Sequence, residues 1–597
     1  MRSINLGAIY HQPWLEYRHA LPDGRVCIRI RTGREDWEEV HLWAANMYGP
    51  GPSMKRAQKL PMERMWRDEN HDWYECIFLP SDPRIHYAFC LSRDGFSLLV
   101  DQDGMYPASL RDPEDMACFP FAYAYQELKK PDWARGAVGY QIFPDRFRRS
   151  PVLGAAAQAV EPWDSTRYAN EFRFGGNLMG IRQAIPYLTK LGVGVVYMTP
   201  IFLSDTSHRY NTFDYYTVDP LLGTLKELRA LSDELHTAGI RIVLDGVFNH
   251  SGVRFPPFVD AVRKGPDSEY FDWFFFNKEK YACGYATFAH TPDMPKLNLQ
   301  NEAAAAYFVQ VGRYWLKQAH VDGWRLDVSP EVWPDFWRQF RKAVLDENPD
   351  AILVAECWDD SRQWVSQGDM FDSTMHYVLS RAMWLYFAER KISLQAFDAR
   401  VNKAMALYPC AVQEVLWNFL GSHDTPRFLT RAGGDESRLR AAVFFQMTHP
   451  GVPIVYYGDE LGLTGGPDPD CRRPMPWGKT EGNALLTYYK QLISLRNGSD
   501  ALRHGTFKTW HIGSDGLYAY LRKSETQEAL VIFNTADIPV DSMLPLPESF
   551  QAREEWINGL NGEALPVIGG AVHAKLAPGQ GVVLFREIQY QSKTQML

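Results

Sequence analysis

The sequence predicts an α/β protein. Its centre is a (β/α)8 TIM barrel with a subdomain inserted after the third strand, flanked by N-terminal and C-terminal antiparallel β-sandwich domains. Three observations predict this. Strand and helix patterns alternate from Gly136 for over three hundred residues, which means a parallel sheet. Eight strand candidates fall in that stretch, enough to close a barrel. On both sides of it the hydrophobic period drops to two, as in half-buried antiparallel strands. An open doubly wound sheet is the alternative, but no GxGxxG opens a helix after a strand.

Residues 1–122 carry short alternating stretches at Val26–Ile30, Val40–Trp43, Trp73–Phe78 and His86–Phe89, punctuated by Gly, Pro and Asp. They read as the first sandwich, with a Pro-, Ala- and acid-rich linker from Arg111 to Trp133. The barrel is assigned to 123–250 and 302–503. Its strands are Val138–Phe143, Val193–Met198, Ile240–Asp245, Gly323–Asp327, Ala351–Glu356, a weak one ending near Tyr377, Leu416–Leu420 and Val452–Tyr457. Helices are expected over Asn177–Leu191, around Leu225, Leu228, Leu231 and Leu235, and over Glu302–His320. A further helix is expected over Glu331–Asp346, with Ser329 as its cap and Pro330 in its first turn. The stretch 251–301 is too long for a plain loop and is read as an inserted subdomain. In 504–597, Tyr518–Leu521, Ala529–Phe533 and Gly581–Phe585 give the second sandwich.

Composition excludes several classes. No apolar run reaches the length that spans a bilayer, and the opening MRSINLGAIYHQPW lacks the apolar core of a signal peptide. Eight scattered Cys without a CxxC point to free thiols in a reducing, cytoplasmic setting. A net charge of −9 without a basic cluster argues against nucleic acid and anionic membranes. The 19 Trp fit core packing and sugar stacking equally well.

Four predicted strands finish on polar residues. The third runs into DGVFNH (Asp245–His250), the fourth ends on Arg325 and Asp327, the fifth on Glu356, and the seventh runs into GSHD (Gly421–Asp424). For the fourth strand alone, a buried Asp–Arg ion pair is the plainer account. Together, a closed barrel brings Asp327, Glu356, Asp424, Arg325, His250 and His423 to one mouth, where barrel chemistry sits. That set suits glycosidic cleavage with retention: one carboxylate attacks the anomeric carbon while a second, kept protonated, serves the leaving oxygen. Arg325 is expected to keep Asp327 ionised. Metal binding is the rival reading, weakened by the absence of HxH and HExxH.

These four stretches resemble those of the α-amylase family of glycoside hydrolases. The segments Gly192–Phe202, Ser207–Pro220 and Gly451–Glu460 extend the likeness. More narrowly, Ala8–Pro13, MPKLN (Met294–Asn298) and Thr464–Trp477 resemble the neopullulanase, cyclomaltodextrinase and maltogenic amylase group. The resemblance implies a starch-binding-like first domain, Asp327 as nucleophile, Glu356 as general acid/base and Asp424 as the carboxylate holding sugar hydroxyls. It places Arg325, His250 and His423 around the cleaved sugar, Tyr210 stacked beneath it with His208 beside, and Asp468 and Arg472 one sugar further out. It also implies α-1,4 cleavage in cyclomaltodextrins, maltodextrins and, as a further candidate, pullulan. A transglycosylase on the same intermediate and a non-catalytic sugar binder are the alternatives.

The sequence departs from the group at points that matter. Ser329-Pro330-Glu331 and Trp333-Pro334 replace the usual residues of the acceptor side, and Cys357 and Asp359 follow Glu356 in place of an aliphatic residue and a His. The loop after Phe147 is almost bare of oxygen ligands, and Asn177 replaces a usual Asp. Calcium needs six to eight oxygens, so no metal and no cofactor is expected. Group likeness further implies a homodimer whose N-terminal domain covers the partner's cleft. Trp14 and Trp66 are the expected interface aromatics, and Trp43 and Trp73 the expected core ones.

Overall fold

The computed structural model describes residues 4–122, 128–150 and 160–588. Eight short strands form the barrel: β1 (Gly139–Ile142), β2 (Val195–Met198), β3 (Arg241–Gly246), β4 (Gly323–Leu326), β5 (Ile352–Ala355), β6 (Ser373–Thr374), β7 (Trp417–Phe419) and β8 (Val452–Tyr456). They pair in parallel in the order 6-5-4-3-2-1-8-7, and one parallel bridge, Met375 to Trp417, joins the ends into a ring. That joint is reinforced by side chains. Ser373 Oγ donates to Val415 O (2.5 Å), Ser380 Oγ to Phe419 O (2.7 Å) and Trp384 Nε1 to Leu420 O (2.6 Å).

The strand sequences are apolar because helices cover the outside and opposite strands fill the inside. Period two then sorts β4. Trp324 points outward into Phe202, Phe248 and Phe340, while Arg325 faces in. Register fixes the level of the strand ends. Asp245 stands opposite Arg325 and Leu326 opposite Ala355. Asp327 N donates to Gly246 O and Glu356 N to Leu326 O, each at 3.0 Å. The residues just past β4 and β5 therefore emerge side by side.

In the N-terminal domain one sheet holds Arg18–Ala20, Val26–Gly33, His71–Phe78 and Glu63–Arg67. The other holds Gln58–Pro61, Glu39–Asn46, Ile85–Arg93, Phe96–Val100 and Met105–Pro107. Ile28, Ile30, Leu42, Tyr87 and Phe89 fill the space between them. The C-terminal domain is a second two-sheet sandwich around Leu530, Ile532, Leu544, Trp556 and Val572. Between β3 and the helix Glu302–Ala319, the helix Pro256–Lys264 packs Phe258 on Phe274, Phe276 and Tyr285, and a bridge from His250 to Lys296 ties this excursion to the barrel mouth.

Several sequence expectations need correction. Part of the expected linker is a strand, Phe119–Phe121, paired with Ile85–Arg93; its two Phe are buried and Pro120 faces out. The helix expected over Asn177–Leu191 breaks into Leu178–Gln183 and Ile185–Leu191, because Pro186 supplies no N–H to continue the ladder. After β4, Ser329 is not a cap. It lies in a 3-10 turn, Ser329–Glu331, and the α-helix starts only at Pro334 and runs to Glu347. Pro334 holds Trp333 extended (φ −59°, ψ 128°), which ends the turn. The sixth strand stops at Thr374, and Tyr377 already begins a helix. Trp66 is 3% exposed and, with Trp73 and Tyr17, joins the barrel's own core rather than an outer surface. Trp43 is half-buried, with Lys59 Nζ 4.5 Å above its ring. Trp14 remains 52% exposed.

Candidate active site

Arg325 is the hub. It is fully buried, and a buried guanidinium requires carboxylate partners. Its Nη1 donates to Asp245 Oδ1 (2.9 Å) and Oδ2 (3.0 Å) and to Asp327 Oδ1 (2.9 Å). Its Nη2 lies 3.0 Å from Glu356 Oε2, an ion-pair contact not aligned as a hydrogen bond. One cation thus serves three carboxylates. Burial is the largest influence on Asp327 and pushes its carboxyl well above the usual range; Glu356 adds to that push and Arg325 opposes it. The expectation that Arg325 keeps Asp327 ionised therefore needs qualifying: Arg325 does oppose the rise, but its charge is divided among three carboxylates and burial outweighs it.

Glu356 is held from below. Its Oε2 accepts from Val328 N and its Oε1 from Trp358 Nε1, both at 2.9 Å. The Trp358 ring stacks on Tyr377 with centroids 4.1 Å apart. Val328 supplies its N–H from a left-handed backbone (φ 46°, ψ 43°), a strained state for a β-branched residue. That strain aims the N–H after Asp327 at Glu356.

A second set links Tyr210, His423 and Asp245. Tyr197 and Tyr210 hydroxyls donate to Asp245 Oδ2 at 2.5 and 2.8 Å. Burial raises the Asp245 carboxyl to about 6, against the pull of Arg325. The rings of Tyr210 and His423 are parallel with centroids 5.3 Å apart. Gln141 Nε2 donates to His423 Nδ1 at 2.7 Å, which leaves the proton on Nε2, facing the Tyr210 oxygen and Asp424 Oδ2 at 3.2 Å. Burial holds His423 well below its usual pKa, so it is a neutral donor here. Asp424 sits between His423 and Arg472 Nη2 (3.5 Å), and Arg472 Nη1 pairs with Asp468 Oδ1 at 2.8 Å. Burial raises the Asp424 carboxyl, and Arg472 and Arg325 oppose the rise.

His208 lies beside Tyr210 with centroids 5.9 Å apart, and burial lowers it to about 3. His250 is stacked on Phe288 and is likewise lowered to about 3 by burial; its Nε2 makes no hydrogen bond among the described residues. The structure thus gathers Asp327, Glu356, Asp424, Arg325, His423, Tyr210, Arg472 and Asp468 into one continuous contact network, with His208 and His250 on its flank.

Sequence reasoning missed Asp245, Gln141, Tyr197, Val328, Trp358 and Tyr377. Asp245 carried a signal, a carboxylate ending the strand next to that of Arg325. The others act through orientation that only the closed ring creates. At the departures, Ser329 Oγ donates to Leu326 O (2.6 Å), Trp333 is 49% exposed, and Lys296 Nζ donates to Glu331 O (2.8 Å). Cys357 is buried, as packing requires, and Asp359 pairs with Arg381 at 2.9 Å. Of the bare loop, 151–159 lies outside the described residues. Asn177 spends its oxygen on Gly180 N (2.8 Å) and its amide on Ser150 O (2.7 Å). Asp145 is spent on Arg146 and on the N–H groups of Phe174 and Gly175.

Comparison with known proteins agrees with this geometry. Residues 141–484 match the description "Alpha amylase, catalytic domain", and residues 4–125 match "Alpha amylase, N-terminal ig-like domain". Neopullulanase 2 of Thermoactinomyces vulgaris is 38% identical over 97% of this chain and 99% of its own length. A cyclomaltodextrinase of a Bacillus species is 38% identical over 89% of this chain and 95% of its own. A solved cyclomaltodextrinase structure superposes with a TM-score of 0.90 at 34% identity, covering 97% of this chain and all of that one. The barrel, the carboxylates on Arg325 and these likenesses lead to one conclusion: the chain belongs to the α-amylase family of glycoside hydrolases.

Proposed function

We propose that this enzyme cleaves α-1,4-glucosidic bonds with retention, in cyclomaltodextrins, maltodextrins and pullulan. The observation that carries the reading is the single guanidinium of Arg325 in contact with both Asp327 and Glu356. Retaining chemistry needs two carboxylates close together, about 5–5.5 Å apart. In that chemistry one carboxylate is charged for attack and the other carries the proton for the leaving oxygen. Arg325 makes its aligned bond to Asp327 and opposes the burial that raises that carboxyl. Asp327 attacks the anomeric carbon while Glu356 protonates the leaving oxygen. Val328 N–H and Trp358 Nε1 then stabilise the Glu356 carboxylate, which takes a proton from the incoming water. Asp424, His423 and Arg472 grip hydroxyls of the sugar as its ring flattens, and Tyr210 stacks beneath it. The names of the relatives, neopullulanase and cyclomaltodextrinase, support this substrate class.

The same reading places the enzyme in the cytoplasm. No helix among the described residues is long and apolar enough to cross a membrane, the eight Cys include no disulfide, and one relative is named an intracellular maltogenic amylase. It needs no calcium, because Asn177 and Asp145 are spent on protein groups. It is a homodimer, with exposed Trp14, Tyr10 and Leu6 as the contact; Trp66 is withdrawn from that role. A chromatographic product profile on β-cyclodextrin, pullulan and soluble starch tests the reading. Maltose from the cyclic substrate and panose from pullulan are expected. Rapid cleavage of starch with neither of the others touched would overturn the substrate class.

A further inference from the structure

His19, Cys27, Glu75 and Cys410 meet at the seam between the N-terminal sandwich and the barrel. His19 and Cys27 stand directly opposite each other on paired strands, Glu75 comes from the next strand, and Cys410 opens a short barrel helix, Cys410–Gln413. One ligand atom from each of His19, Cys27 and Cys410 lies within 4.8 Å of the other two. Glu75 Oε2 completes the group, 3.3 Å from Cys27 Sγ and 3.9 Å from Cys410 Sγ. His19 Nε2 accepts from Cys410 N at 3.2 Å, and its Nδ1 is buried without a hydrogen-bond partner.

We propose that His19, Cys27, Cys410 and Glu75 bind a divalent cation of the zinc class, which staples the N-terminal domain to the barrel. Two sulfurs, one imidazole and one carboxylate make a donor set that zinc accepts in tetrahedral geometry. With bonds of zinc length the edges of such a tetrahedron are about 3.5–3.8 Å, so the side chains need to close by only about 1 Å. Charge argues the same way. Arg29 Nε pairs with Glu75 Oε2 at 2.7 Å and its Nη2 donates to Cys410 Sγ at 3.2 Å. Two thiolates and Glu75 carry three negative charges; Arg29 and a divalent ion carry three positive ones, so the loaded site is neutral. Cys410 is partly exposed, which gives an ion access.

The test uses the full-length chain, stripped of metal and titrated with Co²⁺. One ion per chain is expected, with a thiolate-to-cobalt charge-transfer band that persists in Cys283→Ala and is lost in Cys27→Ala and in Cys410→Ala. Absence of the band, or its survival in Cys410→Ala, overturns the proposal. A measurement without variants stands beside it. Zn²⁺ should slow alkylation of Cys410 in the native chain by about tenfold or more while exposed Cys283 reacts unchanged, because bound metal sequesters the thiolate. Equal rates with and without zinc, or a Cys27–Cys410 disulfide in the freshly isolated chain, would overturn it equally.

Discussion

Asp245 and Arg325 stand opposite each other on neighbouring barrel strands, and one guanidinium nitrogen reaches both carboxylate oxygens, at 2.9 and 3.0 Å. The arrangement sets the height at which Arg325 meets the two carboxylates beyond the strand ends.

Asp245→Asn should therefore lower kcat roughly 10²-fold by loosening Arg325. The pH profile gives the readout that a merely structural role would not move. Asp245 is one of the charges that raise Asp327, so removing it lowers that carboxyl and moves the acid limb of kcat/KM to lower pH. An acid limb that stays in place would mean that Asp245 acts on stability alone.

Asp327→Asn and Glu356→Gln should each cost roughly 10²–10⁴-fold or more in kcat, with melting little changed, because both stabilise the transition state more than the fold. Asp424→Asn should also cripple turnover. With an activated fluoride substrate only Glu356→Gln should accumulate a covalent sugar, detected by intact mass. A covalent adduct in Asp327→Asn would reverse the assignment.

Calcium added to metal-stripped enzyme should change neither activity nor melting temperature, since the oxygens of Asn177 and Asp145 already have partners. Restoration of lost activity by calcium alone would identify ligands elsewhere.

Asp398 joins the barrel to the C-terminal sandwich by accepting from Thr509 (2.6 Å) and Tyr518 (2.5 Å), and no cation pairs with it among the described residues. Burial raises its carboxyl to about 6. The folded form then holds a proton that the unfolded chain, with an ordinary carboxyl, has released. Stability from this group is full below the ordinary carboxylate pKa and lost as pH rises through about 6. Asp398→Asn keeps both acceptor bonds and removes the titration. Its melting temperature relative to wild type should climb between pH 5 and 7.5, by an amount equivalent to about 1–1.5 kcal/mol. A constant difference across that range would exclude the linkage.

Trp14→Ala should shift the mass at micromolar concentration from dimer toward monomer by light scattering, while turnover of a short maltodextrin persists. Removing the whole N-terminal domain is the poorer test. Arg29 Nη1 donates to Tyr408 O at 2.8 Å, and Trp66 and Trp73 sit in the barrel core, so deletion would strip the barrel itself. A wild-type monomer under those conditions would overturn the dimer.

The fold was largely legible because most barrel strands are short apolar runs bounded by Gly or polar residues, and because the stretches of period two and of period 3.6 lie in different parts of the chain. What hid was local. Pro186 and Pro334 each reset a helix that hydrophobic spacing alone carries through. Strand β6 is two residues long and has no period to read. At the site, the acidic residues and Arg325 showed because polar groups at apolar strand ends are costly without a purpose. Gln141 and Trp358 did not show, since nothing in their neighbourhood reveals that ring closure aims them at His423 and Glu356. Trp66 misled because the turn beside it suggests a surface, while the barrel packed against that face makes it an interior.

The joint between β6 and β7 is unlike the rest of the ring. Strand pairing there is reduced to a single bridge, and hydroxyls and an indole do much of the fastening. Asp327 and Glu356 lie on one side of that joint and Asp424 on the other. The placing of Asp424 relative to Asp327 and Glu356 thus leans on Ser373, Ser380 and Trp384, three side chains that lie outside the carboxylate network.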